Sequence, residues 1–211
     1  LNIHTFQLGP LQTNCYIIAN SETKEALIID AGMSPGELLD AAGPYTVKAV
    51  LLTHAHFDHM GGLEQIRNKV KAPVYIHPNE QEWLGNADLN GSSRWPMIGG
   101  AMTAQPAEHE LHDEDVLELA GFTIRVMETP GHSPGSLSFL IEDHVFSGDA
   151  LFNRSIGRTD LPGGNYEQLI TSIHDKLMEL PDETSVHPGH GPATTIGEEK
   201  LYNPFVSGIM G

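Results

Sequence analysis

Residues 47–53 (VKAVLLT) form a near-continuous apolar run, and Thr53-His54-Ala55-His56-Phe57-Asp58-His59 follows without a break. Such a run reads as a strand buried on both faces. The chain turns where the strand ends, and four ligand-type side chains (His54, His56, Asp58 and His59) fall within that turn. This spacing lets them converge on two metal ions rather than one. Imidazole suits zinc and iron, and a carboxylate adds an oxygen donor and negative charge. The motif therefore calls for a sheet with a buried strand that ends on a metal-binding turn.

Three more candidates follow or end strands expected downstream. His132 lies in Thr129-Pro130-Gly131-His132-Ser133, after a strand at 122–128. Asp149 lies in Phe146-Ser147-Gly148-Asp149, after a strand at 144–147. His190 lies in His187-Pro188-Gly189-His190-Gly191, after a strand at 184–187. Glycine or proline close to each candidate shapes the loop and lets the backbone approach closely. Together the seven residues make a dinuclear site's worth of ligands, five His and two Asp.

The remaining pattern mixes strands and helices. Strands are expected at 3–8, 15–20, 25–30 and 73–76, then at 116–119 and 136–141, all apolar and partly β-branched. A helix is expected over 34–42, with Ser34 as N-cap and Pro35 at its first position. Others are expected at 61–69 and 78–84, followed by a long surface loop to 107. Residues 166–180 carry Leu169, Ile170, Ile173, Leu177 and Leu180 at helical spacing. Ala120-Gly121 and Asp143-His144 supply tight turns. No linker divides the 211 residues, so residues 1–211 are expected to form one domain of two packed sheets with helices outside.

Composition narrows the partners. Acids outnumber bases 28 to 11, for a formal charge of −17. Such a surface repels phosphate backbones, so nucleic acid is not expected as a partner. No apolar run reaches the roughly 18–20 residues of a membrane span, so no membrane partner is expected either. The first residues show no basic segment followed by an apolar one, so no signal peptide is expected. The single cysteine, Cys15, reads as a buried strand residue and fits a reducing, cytoplasmic location. The oligomeric state is left open.

The pattern HxHxDH…H…D…H is similar to that of the metallo-β-lactamase-fold hydrolases. The chain more closely resembles the glyoxalase II group, the hydroxyacylglutathione hydrolases and their short bacterial relatives. Supporting stretches are Gly9-Pro10-Leu11-Gln12-Thr13-Asn14-Cys15-Tyr16, Ile29-Asp30-Ala31-Gly32, Gly148-Asp149-Ala150-Leu151-Phe152, Gly157-Arg158-Thr159-Asp160-Leu161-Pro162-Gly163-Gly164 and Tyr202-Asn203-Pro204-Phe205. The resemblance implies a mixed α/β (α+β) fold, an αββα four-layer sandwich of two mixed sheets. It implies His54, His56 and His132 on one metal and Asp58, His59 and His190 on the other, with Asp149 bridging. It also implies Asp30 as a carboxylate that holds a ligand histidine by its other N–H. Asp58 doubles as the catalytic candidate.

The activity implied is hydrolysis of a small-molecule thioester such as S-lactoylglutathione by a hydroxide bridging two divalent ions. Zinc is expected first, with iron or manganese as substitutes. A thiolate leaving group needs little acid help, and the chain has no G-x-S-x-G nucleophile motif. Rival readings are a mononuclear iron persulfide dioxygenase using His54, His132 and Asp149, a lactonase or β-lactamase on the same scaffold, and a non-enzymatic metal-binding protein. Longer glyoxalase II enzymes grip glutathione with a basic C-terminal segment. Here only VSGIMG follows Phe205, so Arg154 and Arg158 are the expected substrate contacts.

Overall fold

Strand β1 (Asn2–Leu8) leads into β2 (Thr13–Ala19), whose seven residues are all buried. The two pair antiparallel, with Phe6 opposite Cys15. This computed structural model describes residues 1–208 of the chain. They fall into two units, the first of residues 1–111 with 118–122 and the second of 112–117 with the residues from 123 onward.

In the first unit, β2 also pairs antiparallel with β3 (Glu25–Ile29). Three parallel pairings follow, from β3 to β4 (Thr46–Leu51), to β5 (Val74–Ile76), to β6 (His109–Glu110). The result is one mixed six-stranded sheet in the order β1 to β6. Parallel pairs need crossovers, and these carry the helices. Helix α1 (Gly36–Ala42) joins β3 to β4, while α2 (Phe57–Met60) and α3 (Leu63–Val70) join β4 to β5. Leu38 on α1 and Leu63 and Ile66 on α3 are buried with Ile17, Ile28 and Val50 in one apolar cluster.

Three expectations shift here. Pro35 takes the N-cap position of α1 with no side-chain cap bond, because Ser34 sits in left-handed backbone at φ +53° and cannot enter the helix as its cap. The helix expected over 61–69 starts at Leu63, and a separate turn, α2, lies inside the histidine motif. The helix expected over 78–84 is two 3-10 turns, Pro78–Glu80 and Glu82–Gly85. The stretch after it is not a bare loop. It holds helix α4 (Ala87–Asn90), capped by the Asn86 side chain, and two further 3-10 turns. The buried Asn90 side chain clasps this segment, donating to the carbonyls of Trp83 and Met102 (both 2.9 Å) and accepting from Ser92.

The second unit carries most of a second mixed sheet. In chain order its strands are β7 (Val116–Leu119), β8 (Phe122–Glu128), β9 (Leu137–Ile141) and β10 (His144–Gly148). A short hairpin of β11 (Leu151–Phe152) and β12 (Ser155–Ile156) stands apart from the sheet. After α5 (Tyr166–Ser172) the chain adds β13 (Ser185–Pro188) and β14 (Thr194–Thr195), then α6 (Ile196–Tyr202). The sheet order is β14-β13-β10-β9-β8-β7. The amphipathic stretch expected over 166–180 is α5 continued by a π-helical turn, Ile173–Leu177, closed by Met178 N–H to Ile173 O. Leu169, Ile173, Leu177 and Leu180 on it are buried as expected. Ala120 and Gly121 both take positive φ, as a tight hairpin turn requires. The β9–β10 turn sits at Glu142-Asp143, one residue earlier than expected, because His144 already pairs with Ile141. No helix among the described residues is long and apolar enough to cross a membrane.

Candidate metal centre

In the first unit the ligand motif begins two residues past β4. Parallel pairing sets Ile29 of β3 opposite Leu51 of β4, so Asp30 and Thr53 leave the sheet at neighbouring strand ends. Asp30 is buried and anchors the turn. Its Oδ1 accepts the Thr53 backbone N–H at 2.8 Å, and its Oδ2 accepts the Thr53 hydroxyl at 2.8 Å. The same Oδ2 accepts His59 Nδ1–H at 2.8 Å. A carboxylate can only accept, so Nδ1 of His59 holds the proton and Nε2 carries the lone pair.

The Thr53 hydroxyl extends this control. It donates to Asp30 and stands 3.0 Å from His54 Nδ1, from which it accepts. One buried carboxylate thus sets the tautomer of two histidines, directly and through one hydroxyl. The His54 and His59 ring centroids are 4.1 Å apart, and His54 and His56 meet edge-on at 4.8 Å. The Thr13 hydroxyl donates to Asp58 Oδ2 at 3.0 Å, and that oxygen lies 3.4 Å from His59 Nε2. The backbone N–H of Ala55, between His54 and His56, donates to the buried Glu80 at 2.6 Å. Trp83 lies 5.5 Å from His56, centroid to centroid.

Close approach explains Gly32 here. A Cβ on it would meet the Leu8 side chain at 2.9 Å, Cys15 Sγ at 3.1 Å and the Asp58 carbonyl at 3.3 Å. Cys15 is fully buried and accepts the Gly32 N–H at 3.3 Å. Burial and the Asp30 charge hold its thiol far above the usual range, so it is a protonated core residue.

In the second unit the candidate donors come from three separate loops. Parallel β10 and β13 pair Gly148 with Pro188, so Asp149 and His190 emerge from neighbouring carboxyl ends. A Gly189 N–H to Gly148 O bond of 2.8 Å ties the two turns together. Asp149 Oδ2 lies 3.5 Å from His190 Nε2 and 3.4 Å from His132 Nε2. His132 donates Nδ1–H to the Arg158 carbonyl at 2.8 Å, which again leaves the lone pair on Nε2. Gly157 is required beside it. A Cβ there would overlap the Asp149 carbonyl oxygen and stand 3.1 Å from His132 Nδ1.

Each unit thus carries a set of buried or half-buried His and Asp donors with oriented imidazoles. Residues 8–190 match the model of the metallo-beta-lactamase superfamily. The chain belongs to that superfamily. It is 45% identical over 207 residues to the probable metallo-hydrolase YqgX of Bacillus subtilis, with 96% of each chain covered. It is 34% identical over 213 residues to the hydroxyacylglutathione hydrolase GloC of Haemophilus influenzae, covering 98% of this chain and 99% of that one. Among solved structures it is similar to the BLEG-1 B3 metallo-beta-lactamase, with TM-score 0.93 and 47% identity over 98% of this chain and 100% of that one. It is also similar to TTHA1623 in a di-iron-bound form, with TM-score 0.82 and 40% identity over 96% and 99%. The expected fold class holds, with two mixed sheets and helices like those of metallo-β-lactamase folds.

The seven donors of this superfamily member, five imidazoles and two carboxylates, are consistent with two metal ions. The orienting groups Thr53, Thr13 and Glu80 escaped sequence reasoning. Thr53 borders the motif and Thr13 lies in a stretch that carried the resemblance, whereas Glu80 had no local signal. Both expected substrate arginines already hold acids. Arg154 pairs with Glu198 and Glu199, each at 2.7 Å, with its guanidinium 5.0 Å from the Tyr202 ring centroid. Arg158 pairs with Asp160 at 2.7 and 3.0 Å.

Proposed function

We propose that this chain is a metal-dependent thioester hydrolase that works with two divalent ions. In this reading His54, His56 and His132 would hold one divalent ion and Asp58, His59 and His190 the other, with Asp149 supplying a further carboxylate. Zinc is the proposed metal, and the di-iron form of TTHA1623 supports iron as its substitute. The donor set fits such ions. It is all imidazole and carboxylate, and His59, His54 and His132 each have Nδ1–H occupied by an oxygen acceptor.

Divalent ions at this site supply Lewis acidity toward a carbonyl and acidify water. The residues of the chain do the rest. Asp30 and Thr53 hold two imidazoles in the ligating tautomer, and the Arg158 carbonyl holds a third. Asp58 and Asp149 bring negative charge that offsets the repulsion of two cations. Thr13 fixes the Asp58 carboxylate by one hydrogen bond. A thioester suits the site because its thiolate leaves without a strong proton donor. The hydroxyacylglutathione hydrolase GloC, similar over nearly the whole chain, supports a 2-hydroxyacyl thioester such as S-lactoylglutathione.

The observation that carries this reading is the pair of donor sets with three imidazoles locked Nε2-outward. The test is a panel of thioesters, lactones and a β-lactam, assayed after metal stripping and reloading. Thioester turnover that vanishes with chelator and returns with metal is expected. Turnover of lactone or β-lactam alone would replace the substrate class, and turnover indifferent to chelator would refute the metal-dependent reading.

A further inference from the structure

Five arginines occur in the chain, and four of them are matched by acids. Arg67 pairs with Glu64 and Glu108, Arg125 with Glu114, Arg154 with Glu198 and Glu199, and Arg158 with Asp160. In a chain of 28 acids and 11 bases this is the expected fate of a guanidinium. Arg94, the fifth, has no acidic partner among the described residues and is exposed. Its position is not arbitrary. It ends the 3-10 turn Ser92–Arg94, just past the Asn90 clasp that ties this segment to Trp83 and Met102.

Gly91 brings Arg94 to the metal motif. Gly91 sits in left-handed backbone at φ +89°, and a Cβ there would meet Arg94 Nη2 at 3.1 Å and Phe57 Cδ1 at 3.6 Å. The guanidinium therefore folds back toward Phe57, the residue between the ligands His56 and Asp58. Trp95, next in sequence, faces the same ring with centroids 6.2 Å apart and is 44% exposed. The result is an uncompensated cation beside an aromatic wall, at the edge of the first unit's ligands.

We propose that Arg94 is a specificity-determining residue that binds a carboxylate of the substrate, with Phe57 and Trp95 as the apolar wall beside it. The proposal rests on the hydrolase reading above and deepens it by naming the residue that would hold a carboxylate of the substrate. The physics is direct. In a chain of net charge −17, a cation left without its own acid is a place where an anionic group can be held. A planar guanidinium offers a carboxylate two parallel N–H donors, and the adjoining rings reduce competition from water. Gly91 fits the same role, since any side chain there would crowd Nη2.

The test separates this subsite from the chemistry. The probe is a thioether analogue of the thioester that cannot be hydrolysed, bearing a free carboxylate or its methyl ester, and binding is measured by calorimetry on the metal-loaded protein. The wild type is expected to prefer the carboxylate form by about tenfold, the lower end for a charge-assisted contact because the group is exposed. Arg94→Ala should bind both forms alike, Arg94→Lys should keep part of the preference, and Arg94→Glu should invert it. A preference that survives Arg94→Ala, or a wild type with none, overturns the proposal. Absence of thioester turnover with the carboxylate preference intact would instead remove the hydrolase reading and leave the subsite standing.

Discussion

The two units hold candidate donor histidines with Nδ1 protonated and Nε2 free of that proton by different means. In the first unit the candidate donors are contiguous, His54 to His59, and side chains orient them. Asp30 and Thr53 form the hydrogen-bonded chain that reaches His54 and His59. In the second the candidate donors His132, Asp149 and His190 come from three loops, and the backbone orients the imidazole of His132 through the Arg158 carbonyl. The side-chain solution is dense and mutable. The backbone solution depends on loop shape, and so on Gly131, Gly148 and Gly157. The difference teaches where each half is vulnerable.

The largest effect should come from the carboxylate at the centre of the second set. Asp149→Ala is expected to lower kcat/KM by about three or more orders of magnitude and to weaken at least one metal, because its carboxylate lies within 3.5 Å of both His132 and His190 nitrogens. Near-normal turnover of a metal-replete variant would break the comparison at its start.

Acid should loosen the second unit by a separate route. His187 accepts a bond from, or donates one to, His144 Nδ1 at 3.0 Å and stacks on Phe146. Burial and the neighbouring His144 depress its pKa from 6.5 to about 4. The unfolded chain then binds the proton more readily, so stability is full above pH 6.5 and falls as pH drops toward 4. The loss is about 3 kcal/mol at completion. Urea unfolding of the metal-free protein at pH 7 and pH 4.5 measures it, and His187→Gln should flatten the dependence. An equal slope in that variant would place the acid sensitivity elsewhere.

Asp30→Asn sharpens the contrast between side-chain and backbone orientation. It should weaken metal binding by roughly 10–100-fold, through loss of the charged acceptor for His59 and of the Thr53 relay to His54. Competition against a chelating dye reads this directly. The matching change in the second unit, Arg158→Ala, leaves the carbonyl that holds His132 in place. It should shift metal affinity by less than about twofold, since the exposed Arg158–Asp160 pair contributes little. If the two variants weaken metal binding equally, the distinction between the units fails.

The same contrast governs what the sequence revealed. The contiguous motif at the end of a buried strand was legible from residue types and spacing alone, because four donors crowded into one turn seldom arise without a metal to hold. His132, Asp149 and His190 were each ordinary as loop residues; they stood out only together with the motif, and the resemblance alone divided the seven between two metals. Most strands were legible from apolar runs. The four-residue helix α2 was not, because it is too short to show a helical period. Helix α6 passed unnoticed, although Thr195 caps it by accepting the Glu198 N–H. A backbone acceptor such as the Arg158 carbonyl leaves no trace in side-chain pattern. Arg94 was hidden for another reason, since a guanidinium is informative only once its neighbours are known to lack an acid.

The central proposal is that the candidate donors hold two metal ions, and X-ray absorption on the metal-loaded protein tests it most directly. The account predicts two ions per chain by elemental analysis and a metal–metal scattering shell at about 3.5–4 Å, lost in both His59→Ala and His190→Ala. One ion per chain with no metal–metal shell, unchanged by either substitution, would contradict it.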